Sequence, residues 1–266
     1  MTTLTHPARD LLDELDGFRI EIDEAQQRAD IILARPPLNV VSMPQRDQLR
    51  CAFEALDAYE GIRVIVLRAE GEHFSSGGDI KGFLEASPVT VSKLAWNIAA
   101  PARCEKPVIA AGRGYCFGVG FEISLACDFR IASETTRYAL PEQRLGQIPG
   151  SGGSARLQKM VGVTRTKDIV MRSRRITGLQ AVDWGISTEC VADAELEKAT
   201  DLLAFLAYKG NESRCQMRSP TMCRDWTRPR TIATWMNMLC THRLSTMLCT
   251  LTCTNTPSAP KARALT

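Results

Sequence analysis

Short apolar runs alternate with amphipathic stretches through the first three quarters of the chain, which predicts strands and helices in turn. Phe18-Arg19-Ile20-Glu21-Ile22 alternates with a period of two, and Ala29-Asp30-Ile31-Ile32-Leu33 predicts a second strand that Pro36-Pro37 ends. From residue 44 to 59, Leu49, Phe53, Leu56 and Tyr59 recur at helical spacing, with Pro44 suited to a first turn. Arg63-Val64-Ile65-Val66-Leu67-Arg68 then predicts a buried strand, followed by a short helix over 79–84 and a longer one over 89–104. Lys106-Pro107-Val108-Ile109-Ala110-Ala111 predicts the next strand, and Gly112, Gly114, Gly118 and Gly120 form a glycine-rich turn into an apolar helix over 119–127. Strands at 129–132 and 138–140, helices at 155–161, 164–171 and 178–184, a strand at 186–191 and a helix at 193–207 complete the pattern. From residue 208 on, the apolar positions follow no sustained period. Elements in this order imply a layered α/β protein.

Composition bounds the function. With 266 residues, 44% hydrophobic and 24% charged, the chain is long enough for a full core and ordinary for a globular protein. No window has the length and apolarity of a membrane span, and residues 1–16 carry acids where a signal peptide has its apolar core, so a cytoplasmic protein with no membrane partner is expected. Ten cysteines include no Cys-x-x-Cys pair, and Cys51, Cys104, Cys116 and Cys127 lie in or beside apolar stretches, as buried inert thiols do. Cys240, His242, Cys249 and Cys253 lack zinc-module spacing, and no metal site is expected.

The net charge of +3 is unevenly placed. Residues 208–266 hold nine Lys/Arg and two Asp/Glu, a net +7, which leaves −4 for residues 1–207. The arginines of that tail follow no helical or strand period, and Trp226 and Trp235 are sparse, so no nucleic-acid partner is expected. The same tail holds five of the ten cysteines and five of the nine methionines. A composition shift at one point fits a frameshifted reading of the gene; a divergent native tail is the other reading. The chain divides accordingly into an N-terminal extension at 1–16, a core at 17–207 and an atypical tail at 208–266.

Two glutamates carry the candidate chemistry, Glu122 within Gly118-Val119-Gly120-Phe121-Glu122 and Glu142 within Leu140-Pro141-Glu142-Gln143-Arg144-Leu145-Gly146. Taken alone, each glutamate of this kind is more often a solvated helix residue than a catalytic one. A carboxylate pair can, however, manage a water and a proton. Gly112-Arg113-Gly114-Tyr115-Cys116-Phe117 is a poor dinucleotide fingerprint, because Phe stands where its third small residue belongs. A serine hydrolase would need a nucleophile elbow, and no Gly-x-Ser-x-Gly occurs; His73 beside Ser75 and Ser76 is then a loop residue.

Three motifs stand in order: His73-Phe74-Ser75-Ser76-Gly77-Gly78-Asp79-Ile80-Lys81, Lys106-Pro107-Val108-Ile109-Ala110-Ala111 through Asp128, and Leu140-Pro141-Glu142 through Gly153. With them, residues 17–207 resemble the crotonase, or enoyl-CoA hydratase/isomerase, superfamily, most closely its two-glutamate hydratases. The resemblance implies a spiral of repeated ββα units with a C-terminal helical region, the part this sequence replaces with its tail. It implies an acyl-CoA substrate, with coenzyme A entering as part of the substrate and no separate cofactor, and a homotrimer or dimer of trimers. It also implies an oxyanion hole from the backbone N–H groups of Gly78 and Val119, with Glu122 activating water and Glu142 delivering a proton to the carbon beside the thioester. Ser76, Asp79, Ile80, Lys81 and Phe83 would lie along the coenzyme A and acyl channel, with Lys81 available to a phosphate. Isomerases and other acyl-CoA lyases or hydrolases of the superfamily are the neighbouring activities, and loss of the C-terminal lid would leave a catalytically impaired interaction protein. Val119, Arg113 and Gln143-Arg144 depart from the hydratase pattern, which implies an acyl group other than a short straight chain, such as a cyclic or aromatic one.

Overall fold

The computed structural model describes residues 15–209, which fall within one compact unit. The N-terminal residues up to 14 and the tail from residue 210, with the frameshift, lid and trimer expectations attached to it, lie outside the described residues.

Nine strands and nine α-helices are described. Strands β1 (Phe18–Asp23), β2 (Arg28–Leu33), β3 (Val64–Ala69), β4 (Val108–Gly112), β6 (Phe129–Ser133) and β9 (Glu189–Val191) form a six-stranded sheet in the order β1-β2-β3-β4-β6-β9. Only the β1–β2 pair is antiparallel. The second layer contains β5 (Tyr115–Phe117), β7 (Arg137–Ala139) and β8 (Ile176–Thr177). The helices are α1 (Met43–Ala58), α2 (Ile80–Glu85), α3 (Pro88–Ser92), α4 (Leu94–Ile98), α5 (Ala100–Arg103), α6 (Val119–Ala126), α7 (Gly153–Met171), α8 (Gly178–Asp183) and α9 (Leu196–Lys209). Strand β4 of the large sheet leads into β5 of the small layer and then α6, and β6 leads into β7 in the same way. This repeat is the ββα spiral that the motifs implied.

The continuous apolar run of β3 is explained by cover on both faces. Ile65 and Leu67 point into the main core with Phe53, Leu49 and Phe121, while Val64 and Val66 pack with Ile109, Ile131 and, from α9, Leu196 and Ala204. The half-buried strand β1 keeps its alternation because only one of its faces is covered.

Several elements differ from the sequence expectation. The residues 89–104 form three short helices, because Pro101 cannot extend the preceding ladder and sits in the first turn of α5 instead. The glycine-rich stretch 112–120 contains strand β5, whose pairing partners lie at Arg137–Ala139. By contrast, the two helices expected at 155–161 and 164–171 are both present within α7, separated by a backbone break at Gly162, with φ 78° and ψ 172°. Only residues 189–191 of the strand expected at 186–191 pair, since Ile186 closes a turn onto Ala181. Cys104, Cys116 and Cys127 are buried as expected, but Cys51 is half-buried, with Arg50 donating to its Sγ.

Candidate active site

The small layer decides where the site forms. Ser75 bridges Cys116 in parallel, and Phe117 pairs Ala139 in parallel, so three chain segments run the same way and end at one edge. The turns that follow are 76–79, 118–119 and 140–142, the segments that carry the motif residues. Convergence at the carboxyl ends of parallel strands is where α/β proteins bind ligands. A fourth segment joins them, because Val41 bridges Gly78 just before α1 begins.

The local hydrogen bonds set which amides are free. The Val41 amide donates to Gly77 O at 2.9 Å and the Asp79 amide to Val41 O at 3.0 Å, so the N–H of Gly78 between them faces the opposite side. Asp79 then accepts from the Lys81 amide at 3.1 Å and caps α2. Gly118 donates to Ala139 O at 3.0 Å and adopts φ 52°, ψ −126°, a conformation that side chains resist, before α6 starts at Val119. The Val119 N–H is one of the four that a helix leaves unpaired at its start. Among the described residues neither the Gly78 nor the Val119 amide has an acceptor.

Glu122 is the fourth residue of α6, with its amide donating to Gly118 O at 2.9 Å. Its side chain is buried, and Oε1 accepts from the amides of Ser151 at 2.8 Å and Gly153 at 2.9 Å. A Cβ at residue 153 would stand 2.7 Å from Glu122 Cγ, so glycine is what lets this backbone approach the carboxylate. Glu142 opens a 3₁₀ turn (Glu142–Leu145) after Pro141. Its Oε1 lies 3.1 Å from where a Gly118 Cβ would be, and its Oε2 is buried without a partner. Burial, with the charge of Glu122 added, pushes the Glu142 carboxyl up to about 7.

These groups share one cavity of about 620 Å³. Of the expected site residues, Gly78, Val119, Glu122, Glu142, Ser76, Asp79, Ile80 and Phe83 line it. Lys81 is exposed and is not part of its wall. His73 stacks on Tyr115 with ring centroids 4.1 Å apart, which makes it a packing residue of the loop. Among the described residues no group of three or more His, Cys, Asp or Glu could hold a metal, and no helix is long and apolar enough to cross a membrane.

One wall residue was missed by the sequence reading. Arg46 of α1 is 6% exposed and lies in the cavity wall within the electrostatic reach of Glu122, Asp79 and Glu142. The signal was present: Arg46 stands three residues before Leu49 and seven before Phe53, on the stripe that faces the core, where a cation is out of place.

Residues 24–233 match the family described as enoyl-CoA hydratase/isomerase. A Bacillus subtilis protein named "Probable enoyl-CoA hydratase" is 33% identical over 69% of this chain and 74% of its own length. A carnitinyl-CoA dehydratase of Salmonella typhi is 35% identical over 66% of this chain and 69% of its own. Among solved structures, an enoyl-CoA hydratase from Bacillus anthracis superposes with a TM-score of 0.74 at 27% identity, covering 84% of this chain and 89% of that one. The match extends over the ββα spiral and over all three turns that meet at the cavity, and the chain therefore belongs to the enoyl-CoA hydratase/isomerase, or crotonase, family.

Proposed function

We propose that the cavity binds a 2,3-unsaturated acyl-CoA thioester and adds water across its double bond. The observation that carries this reading is the convergence of two acceptor-free backbone N–H groups, at Gly78 and Val119, with two carboxyl groups of unequal environment. Negative charge collects on the thioester oxygen as the enolate forms, and the two amides are available to receive it. The dipole of α6 adds to the field at Val119.

The carboxyl groups divide the remaining work. Glu122 has one oxygen held by the Ser151 and Gly153 amides, which fixes the plane of the carboxylate and leaves Oε2 to orient and deprotonate water. Glu142, raised to about 7, keeps a proton near neutral pH and gives it to the carbon next to the thioester. A raised carboxyl beside one held by two amides supplies an acid and a base from one residue type. Phe83 and Ile80 offer apolar wall to the acyl chain, and Ser76 and Asp79 line the approach; Lys81, exposed on α2 outside that wall, is the cation this reading assigns to a coenzyme A phosphate. No cofactor beyond the substrate's own coenzyme A enters the scheme.

The two relatives named for hydration and dehydration run one reaction in opposite directions, which supports a lyase over an isomerase. Loss of the conjugated absorbance of crotonyl-CoA, followed with the full-length protein, is the direct test. Turnover that depends on both glutamates supports hydration; double-bond migration without water uptake removes it.

A further inference from the structure

Two arginines line the cavity without a task in the hydration scheme, and of these Arg144 is exposed while Arg46 is buried. Its Nε is buried with no hydrogen-bond partner, and the guanidinium makes no ion pair within 4 Å among the described residues. Burial holds its pKa below the usual arginine value, while the charges of Glu122, Asp79 and Glu142 act the other way. None of the three acids is a dedicated partner. Glu122 is held by two amides, Asp79 caps α2, and Glu142 is half protonated near pH 7.

An arginine cannot shed its proton, so a buried one left unpaired is a standing cost to the fold. The chain also makes room for it. Nη2 of Arg46 lies 2.3 Å from where a Cβ on residue 78 would be, which means that glycine at 78 lets the guanidinium sit against one of the two carbonyl-binding amides. Its position is therefore on the acyl side of the cavity, beside the thioester carbonyl. A neutral acceptor would satisfy its N–H groups and leave the charge; a carboxylate satisfies both through two parallel hydrogen bonds.

We propose that Arg46 is a specificity-determining residue that pairs with a carboxylate on the acyl chain, so that the cavity takes short dicarboxylic acyl thioesters. This rests on the reading of the cavity as an acyl-CoA site. It narrows the substrate class that the departures in sequence had left open, away from cyclic and aromatic groups and toward an anionic one.

The test compares glutaconyl-CoA with pent-2-enoyl-CoA, which carries a methyl group in place of the carboxylate, on the full-length protein and on Arg46→Met and Gly78→Ala. The native protein is expected to favour glutaconyl-CoA in kcat/KM by at least tenfold. Arg46→Met is expected to shift that ratio about 10- to 100-fold toward pent-2-enoyl-CoA, the range of a charge-assisted hydrogen bond. Gly78→Ala, which keeps the backbone N–H but crowds the guanidinium, shifts it in the same direction. No native preference for the diacid, or an equal loss on both thioesters in Arg46→Met, overturns the proposal.

A binding arm separates this inference from hydration itself. Calorimetry with the saturated glutaryl-CoA and valeryl-CoA needs no turnover. Tighter glutaryl-CoA binding that Arg46→Met abolishes supports the assignment even if neither unsaturated thioester is hydrated, whereas equal binding of the two overturns it. A merely structural arginine is distinguished by stability: the Tm of Arg46→Met should equal or exceed that of the native protein, and a fall of several degrees would overturn the assignment.

Discussion

The segment around Glu122 and the segment around Glu142 face the same cavity and could hardly be built more differently. All eight residues of α6 are buried, and its glutamate is held by two backbone amides from across the cavity wall. The turn that carries Glu142 has no buried residue, and Leu145 and Ile148 beside it are exposed. One segment fixes a carboxylate in place; the other holds its partner at a rim, with an oxygen that has no hydrogen-bond partner among the described residues. The difference teaches that a single residue type can serve as base and acid when packing alone sets the two environments apart.

The comparison breaks most completely if either carboxyl is replaced. Glu122→Gln and Glu142→Gln are each expected to lower crotonyl-CoA hydration by about 100-fold or more, and near-normal turnover in either variant would take that residue out of the scheme. Next in size is Gly153→Ala. Its methyl group would press on Glu122 Cγ at 2.7 Å, so activity should fall about tenfold and stability by about 1–3 kcal/mol. Denaturant unfolding and initial rates would read the two effects together.

The split in charge gives a pH signature. The proposed scheme uses the protonated Glu142, so kcat should decline by about one decade per pH unit above about 7, and this limb should vanish in Glu142→Gln. Stability follows the same group with a defined sign. The folded carboxyl titrates at about 7 against its ordinary 4.5, so its contribution is fully present below 4.5 and is lost as pH rises through 7. Glu142→Gln should therefore be stabilised relative to the native protein at pH 8, with the difference closing toward pH 5, as measured by Tm. The smallest effect belongs to the rim: Ile148→Ser, at a residue 79% exposed, should change unfolding free energy by no more than about 0.5 kcal/mol.

The legible parts of the molecule were those set by local pattern. The strands at 18–23, 28–33 and 64–69 and helix α1 follow from period-two and period-3.6 spacing, because burial on one or two faces is written into consecutive side chains. Strand β5 was not legible, since three residues between glycines become a strand only by pairing with Arg137–Ala139. Strand β8, with two residues, has no period at all. Lys81 shows how two neighbours in sequence can differ in setting: two places from Asp79, it is exposed on α2 while Asp79 lines the cavity. Arg46 was legible as a cation on the core-facing stripe of α1, but not its place beside Gly78, thirty-two positions away.

By itself the sequence determined the element order, the three motifs in their spacing, and which two glutamates stand in those motifs, because those depend on residue identity and on neighbours within a few positions. Only the tertiary structure decided that three strand ends meet at one edge, that Glu122 is held by two amides while burial raises Glu142, and that a buried arginine lines the same cavity. The reason is physical: desolvation, charge coupling and the supply of backbone donors at a carboxylate are set by atoms that approach from distant parts of the chain, and no local pattern encodes that approach.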